Sequence, residues 1–216
     1  MPQREAGAEE FVPSRGGLPA MEKAVRECRG CDLHENATQA VFGEGAARAR
    51  VMFVGEQPGD SEDVQGHPFV GPAGRTLDRA LQEAGLRRDE VYLTNVVKHF
   101  KFEQRERGKR RIHKKPSATE VRACRPWLTA ELRLVKPQLV VCLGATAAKA
   151  LLGSSFRVSE HRGAVLDFPA DAGLGESAPD SVVATVHPSS VLRAEDRDAA
   201  YRQFRDDLRA AVQVLG

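Results

Sequence analysis

No run of apolar residues in this sequence is long enough to cross a bilayer; the longest, such as Leu139 to Leu143, fall far short of the roughly 20 residues a membrane helix needs. A secretory leader is also missing. Arg4, Glu5, Glu9 and Glu10 occupy the amino-terminal stretch, with no apolar segment before a small-residue cleavage site, so a cytoplasmic location is expected. Aromatic residues are few, at 6% with one Trp and two Tyr, but 41% hydrophobic and 29% charged residues match an ordinary soluble globular chain and exclude disordered or collagen-like compositions. Cysteine is scarce as well. Four in 216 residues, in a reducing compartment, suit a metal or cluster better than a disulfide framework. An excess of either charge is lacking too, the formal net charge being +2.

What is there is more informative than the averages. A length of 216 residues suits one domain with a full hydrophobic core, expected over 18–216 behind an irregular arm at 1–17. The small net charge conceals a strong local bias. Between Lys98 and Lys115 lie Lys98, Lys101, Lys109, Lys114 and Lys115 with Arg105, Arg107, Arg110 and Arg111, against only Glu103 and Glu106, so this segment carries +7 and the rest −5. A basic loop at 98–115 on an acidic body is the footprint of a polyanion site, nucleic acid foremost, although a solvated, self-repelling loop has the same composition. Inside it His113 follows Lys109, Arg110, Arg111 and Ile112 and precedes Lys114 and Lys115. Such a crowd of cations disfavours imidazolium.

Four short apolar runs read as buried strands: Ala49 to Gly55, Val91 to Val97, Gln138 to Leu143 and Ser181 to Val186. Helical spacing appears over Leu18 to Cys28, Gly74 to Ala84, Ala145 to Leu152 and about Glu195 to Val214, and Ser117 with Glu120 forms a capping box at a further helix start. Alternating strand and helix predicts an α/β fold, a three-layer α/β/α sandwich around a four-stranded parallel sheet, with ligands at the carboxyl ends of the strands. Those ends hold Gly55-Glu56-Gln57-Pro58-Gly59, Asn95 and His187-Pro188-Ser189-Ser190. Each alone has a bland explanation in capping, turn formation or packing; their convergence on one crevice is harder to dismiss.

Cys28 and Cys31 form a C-x2-C pair, whereas Cys124 and Cys142 are isolated. An all-thiolate tetrad suits zinc or an iron-sulfur cluster, and inert buried thiols remain an alternative.

The motifs GEQPG, QGHPFVGPAGRTLDRAL, LTNVVKHF and HPSSVLR, in this order over about Leu18 to Leu215, resemble those of the uracil-DNA glycosylase superfamily, in its iron-sulfur branch. The resemblance implies a [4Fe-4S] cluster on Cys28, Cys31, Cys124 and Cys142 and uracil-containing DNA as substrate; a monomer is expected because the sequence has no heptad or exposed apolar stripe. Two departures, Gln57 where that branch usually has Ala or Gly, and the inserted basic loop ending in KRRIH, resemble the type X group, whose members become covalently joined to uracil-containing DNA through the His of that loop. Here that residue is His113.

The resemblance further implies that Phe69 stacks on the flipped uracil, with Gly55 and Gln57 lining the same pocket. Asn95 would match uracil O4 and N3–H, a pattern cytosine reverses. His187 would donate to O2 as the base leaves, and Glu56 would bond the second ring nitrogen of His113 while the first attacks C1′. Lys109, Arg110, Arg111, Lys114 and Ser189 would contact DNA phosphates. Single strands are expected to be preferred because the base need not be unpaired. Two other readings are a conventional turnover glycosylase and a non-catalytic iron-sulfur DNA-binding module.

Overall fold

The protein is described here by a computed structural model covering residues 7–104 and 111–216. Its strands, in chain order, are β1 (Glu44–Gly45), β2 (Val51–Gly55), β3 (Tyr92–Asn95), β4 (Phe102–Gln104), β5 (Arg111–His113), β6 (Leu139–Leu143), β7 (Val165–Asp167) and β8 (Ser181–Thr185). Its α-helices are α1 (Gly17–Val25), α2 (Asp60–Gln65), α3 (Pro72–Glu83), α4 (Ala118–Val135), α5 (Ala145–Leu152), α6 (Val158–His161), α7 (Pro188–Val191) and α8 (Arg197–Gln213).

The four expected strands β2, β3, β6 and β8 pair in parallel in the order β3-β2-β6-β8. They are buried on both faces, which is why their sequences are apolar without alternation. Val51, Phe53, Leu139, Val141 and Val183 face a layer made by α3 and α8, where Leu77, Leu81, Phe204 and Leu208 are fully buried. Met52, Val54, Val140, Val182 and Ala184 face α1, α4 and α5 across Trp127, Leu128 and Ala147. Each large side chain so buried contributes roughly 1.5–3 kcal/mol. No described helix is long and apolar enough to cross a membrane.

Two features extend the expected four-stranded sheet. β1 and β7 add antiparallel edges, β1 on β3 and β7 on β8, making six strands. At two and three residues they are too short to leave a period in the sequence. The basic segment, expected as a loop, is instead anchored by a separate hairpin: β4 pairs antiparallel with β5, bringing Phe102 opposite His113. Residues 7–17 contain only a 3-10 turn at Glu9–Phe11, yet they are tied down, the Ala8 N–H donating to Ala123 O at 2.9 Å with Ala8 fully buried.

α4 starts where its capping box was expected. The Ser117 hydroxyl accepts from Glu120 N–H at 3.2 Å, and Glu120 accepts from Ser117 N–H at 2.6 Å. α3 begins two residues before the helical periodicity because Pro72 sits in its first turn, where a missing N–H costs nothing.

Candidate active site

The carboxyl ends of β2 and β3, the turn before α3 and the turn after β8 enclose the candidate site. Gly55 and Asn95 are directly paired across β2 and β3. A Cβ at Gly55 would lie 2.3 Å from Asn95 Oδ1 and 2.7 Å from Phe69 Cζ, so glycine is required for these two side chains to approach. Phe69 has φ +56°, unusual for a bulky residue. It is held there by Arg88, which donates to Phe69 O at 3.3 Å and Pro68 O at 2.7 Å while pairing with Asp78 at 2.7 Å. Behind it, Gly74 leaves no room for a side chain, an added Cβ falling 1.7 Å from Phe69 O.

Asn95 is buried, and its side-chain amide makes no hydrogen bond among the described residues. Its backbone is fixed from below: Lys98 Nζ donates to Asn95 O at 2.8 Å, Thr94 Oγ1 at 2.7 Å and Glu131 Oε2 at 2.5 Å. Glu131 also accepts from Gly43 N–H, Thr94 Oγ1 and Tyr92 O–H. Lys98 is therefore a fully buried structural cation with no access to a phosphate, although its position at the head of the basic segment led it to be counted there. The apolar neighbours in Val96-Val97-Lys98-His99-Phe100 were the sequence signal for burial.

His187 caps α7. Its Nδ1 accepts from Ser189 N–H at 3.2 Å and lies 2.8 Å from Ser189 Oγ, leaving Nε2 as the ring's proton-bearing donor when neutral. Burial, reinforced by His113 and Arg193, pushes its pKa down to about 4, so the neutral donor form dominates at neutral pH. Ser189, expected at a DNA phosphate, spends its polar atoms on this ring instead. The Phe69 and His187 rings are stacked, with centroids 6.3 Å apart and 28° between planes.

His113 arrives from the hairpin. Its Nε2 is 3.0 Å from Gln57 Nε2 and 3.5 Å from Glu56 Oε1. Gln57, expected to contact uracil, is buried and engaged elsewhere: its Oε1 accepts from Lys101 N–H at 3.1 Å, and its Nε2 reaches Lys101 O and Lys114 O, each at 3.1 Å. The Lys101 amide fixes which end of the Gln57 side chain is oxygen, so Gln57 turns its NH2 group towards His113 Nε2 while the two hydrogens of that group also face the Lys101 and Lys114 carbonyls. Glu56 therefore faces the same nitrogen as Gln57, not the second one as expected. Its other oxygen accepts a short hydrogen bond from Thr146 Oγ1. The His113 pKa is lowered by burial, opposed by Glu56 and aided by Arg193; burial outranks the flanking cations that the sequence suggested as cause.

Of the five described cations in the basic segment, Lys98, Lys101, Arg111 and Lys114 are paired with carboxylates. Arg111 donates to Asp60 at 2.6 Å and Asp63 at 2.5 Å, and stacks over the rings of Phe100 and Phe102. Lys101 binds Glu120 at 2.9 Å, and Lys114 pairs with Glu103. Arg111 and Lys114 thus brace the hairpin. Lys109 and Arg110 lie outside the described residues.

Of the four cysteines, three come together. Cys124 feels the charges of Cys31 and Cys28, and Cys31 that of Cys28. Their sulfurs are embraced by donors, with Lys98 N–H to Cys124 Sγ and Trp127 Nε1–H to Cys28 Sγ both at 3.2 Å. Cys142 stands apart in mid β6, its thiol pushed up to about 12 by burial alone. The buried residue beside the trio is His99, which sequence reasoning missed. It directly follows the Lys98 amide bonded to Cys124, and it feels His34, whose Nδ1 lies 2.8 Å from Cys31 O. Among the described residues no three His, Cys, Asp or Glu side chains converge as a single-ion site.

Comparison with known proteins bears on the whole of this arrangement. Residues 42–209 match the family described as the uracil DNA glycosylase superfamily. The chain is similar to a Type-4 uracil-DNA glycosylase of Thermotoga maritima, 37% identical over 82% of this chain and 83% of the relative. Enzymes of the same description from Pyrobaculum aerophilum and Archaeoglobus fulgidus are 37% and 36% identical, over 88% and 92% of this chain and 91% and 95% of the relatives.

Proposed function

The chain belongs to the uracil DNA glycosylase superfamily, and we propose that it excises uracil from DNA and then captures the exposed sugar covalently on His113. The uracil ring would stack on Phe69, with the free Asn95 amide reading O4 and N3–H. Excision breaks the N1–C1′ bond, and its electron pair leaves with the base. Charge gathering on O2 meets the neutral His187 Nε2–H, a donor that burial keeps from competing as an acid.

The observation that carries the covalent step is His113 Nε2 lying 3.5 Å from the Glu56 carboxylate. Attack requires the lone pair on this nitrogen, and in that tautomer the carboxylate gains little from the neutral ring. Once Nε2 bonds to C1′ the ring becomes cationic, and Glu56 then stabilises it, so the interaction strengthens along the reaction coordinate. Loss of the Nδ1 proton to solvent leaves a neutral N-alkyl imidazole, a poor leaving group. The protein then turns over once.

Cys28, Cys31 and Cys124 would hold a [4Fe-4S] cluster, with His99 as fourth ligand in place of Cys142. The three mutually coupled thiols and their two N–H donors fit such a group, since hydrogen bonds to ligand sulfur are a usual part of these sites. Its role is to tie the turn after α1 to α4.

Uracil-containing single-stranded DNA, incubated with the protein and run on a denaturing gel, is expected to give a heat-stable shifted band. His113→Ser is expected to lose the band. Free abasic DNA as the sole product of the unsubstituted protein, as a conventional turnover enzyme would give, would falsify the capture step; a band that survives His113→Ser would reject His113 as nucleophile.

A further inference from the structure

Four cations with no ion pair among the described residues lie close together on α4, on α5 and in the segment leading into α4. Lys115, Arg122, Arg125 and Lys149 are exposed, and none is in an ion pair among the described residues. They rim a cavity of about 390 Å³ whose floor is aliphatic, formed by Val121, Leu128, Leu132, Leu151 and Leu174. A second hollow of about 610 Å³ lies along the same helix over Val12, Met21 and Leu134. Arg122, Arg125 and Thr129 line both, so the two hollows share a cationic ridge.

We propose that this face docks an acidic segment of a partner protein, with apolar side chains in the two hollows and carboxylates on the Arg122–Arg125 ridge. Charge complementarity selects an acidic ligand, because four exposed cations without counter-charges surround an apolar depression. The floor chooses between the two acidic classes. A nucleic-acid strand would bring bases that need aromatic platforms, and neither hollow contains an aromatic residue. Leu, Ile or Phe side chains of a peptide fill such aliphatic hollows, and anchors spaced along a helix face are a common recognition mode.

The site also touches the chemistry. Thr146, which donates to Glu56, lies in the wall of the first hollow, so an occupant would sit behind the active-site carboxylate. Recruitment and catalysis would then share a wall.

The test uses the full chain and fluorescein-labelled synthetic peptides in which two apolar residues, Leu and Phe, are separated by about one to five Asp or Glu, read by fluorescence anisotropy. At least one spacing should bind saturably. Affinity should fall about tenfold or more when Leu and Phe become Ser, and likewise in Arg122→Glu/Arg125→Glu and in Lys149→Glu on the opposite wall, three exposed positions whose folding is checked by circular dichroism. No binding at any spacing would overturn the proposal, as would binding indifferent to the Ser replacements, which would be charge alone. Equal losses of single-stranded DNA and peptide affinity in these variants would assign the ridge to the DNA path and overturn it too.

Discussion

Gln57 Nε2 and His113 Nε2 lie 3.0 Å apart, and the same Gln57 side chain bonds Lys101 and Lys114, the residues that flank the hairpin at either root. One amide thus secures the hairpin and touches the ring that the hairpin delivers.

Replacing Gln57 with Ala should therefore slow crosslinking about 10- to 100-fold through lost orientation. Uracil release should fall much less, because Asn95, Phe69 and His187 are untouched. Parallel measurement of free uracil and of crosslinked DNA separates the two; equal losses would place Gln57 in the base pocket after all.

Gly55→Ala inserts a methyl group 2.3 Å from Asn95 Oδ1 and 2.7 Å from Phe69 Cζ. Displacing both should lower uracil excision by roughly 100-fold or more, the scale expected when a reacting group shifts by about 1 Å. Iron content and the unfolding midpoint should be little changed, as assayed by metal analysis and urea titration.

Lys98→Met leaves the Glu131 carboxylate buried without its cation. A loss of about 3–5 kcal/mol in urea unfolding is expected, with only partial recovery in the Lys98→Met/Glu131→Leu double variant, because the apolar pair no longer holds a lone charge but Gly43 N–H and Tyr92 O–H lose their acceptor. The double variant should also weaken the equilibrium binding of uracil-DNA, because Lys98 holds Asn95 O.

Acid should affect capture later than an ordinary histidine would suggest. Burial lowers the His113 pKa, so its nucleophilic form persists below the usual value of 6.5, and crosslinking rates should remain above half their maximum at pH 6.5. Stability follows the same sign. His187, near 4 in the folded state, contributes fully above about pH 6.5 and loses that contribution as pH falls towards 4. Rapid-quench crosslinking and urea titrations across this range check both; a capture rate already halved at pH 6.5 would contradict the first.

His99→Ala should reduce bound iron and its visible absorption, whereas Cys142→Ala should retain both. Nitrogen coupling in the electron paramagnetic resonance of the reduced protein, altered by ¹⁵N-histidine labelling, would report the His99 ligand directly. Loss of iron in Cys142→Ala with none in His99→Ala would restore the all-thiolate set.

Much of the fold was legible because the signals were local. Apolar runs of five residues marked β2, β6 and β8, and the Ser117–Glu120 capping box marked the start of α4, each set by backbone geometry and burial within one segment. The strand-end motifs likewise announced Asn95, Glu56 and His187 as neighbours, because parallel strands bring their carboxyl ends to one edge. Pairing across the chain was not legible. Net charge could not disclose that Lys98 meets Glu131, that Arg111 meets Asp60 and Asp63, or that Lys115, Arg122, Arg125 and Lys149 surround one hollow. Nor could C-x2-C spacing reveal that Cys124 joins Cys28 and Cys31 while Cys142 stands apart in β6. The sequence by itself determined which chemical groups are present and which layer of the sheet carries them. Only tertiary structure decided which charges are already spent, which side chains meet the His113 ring, and which thiols lie together, because those depend on contacts between residues tens of positions apart, where local propensity has no influence.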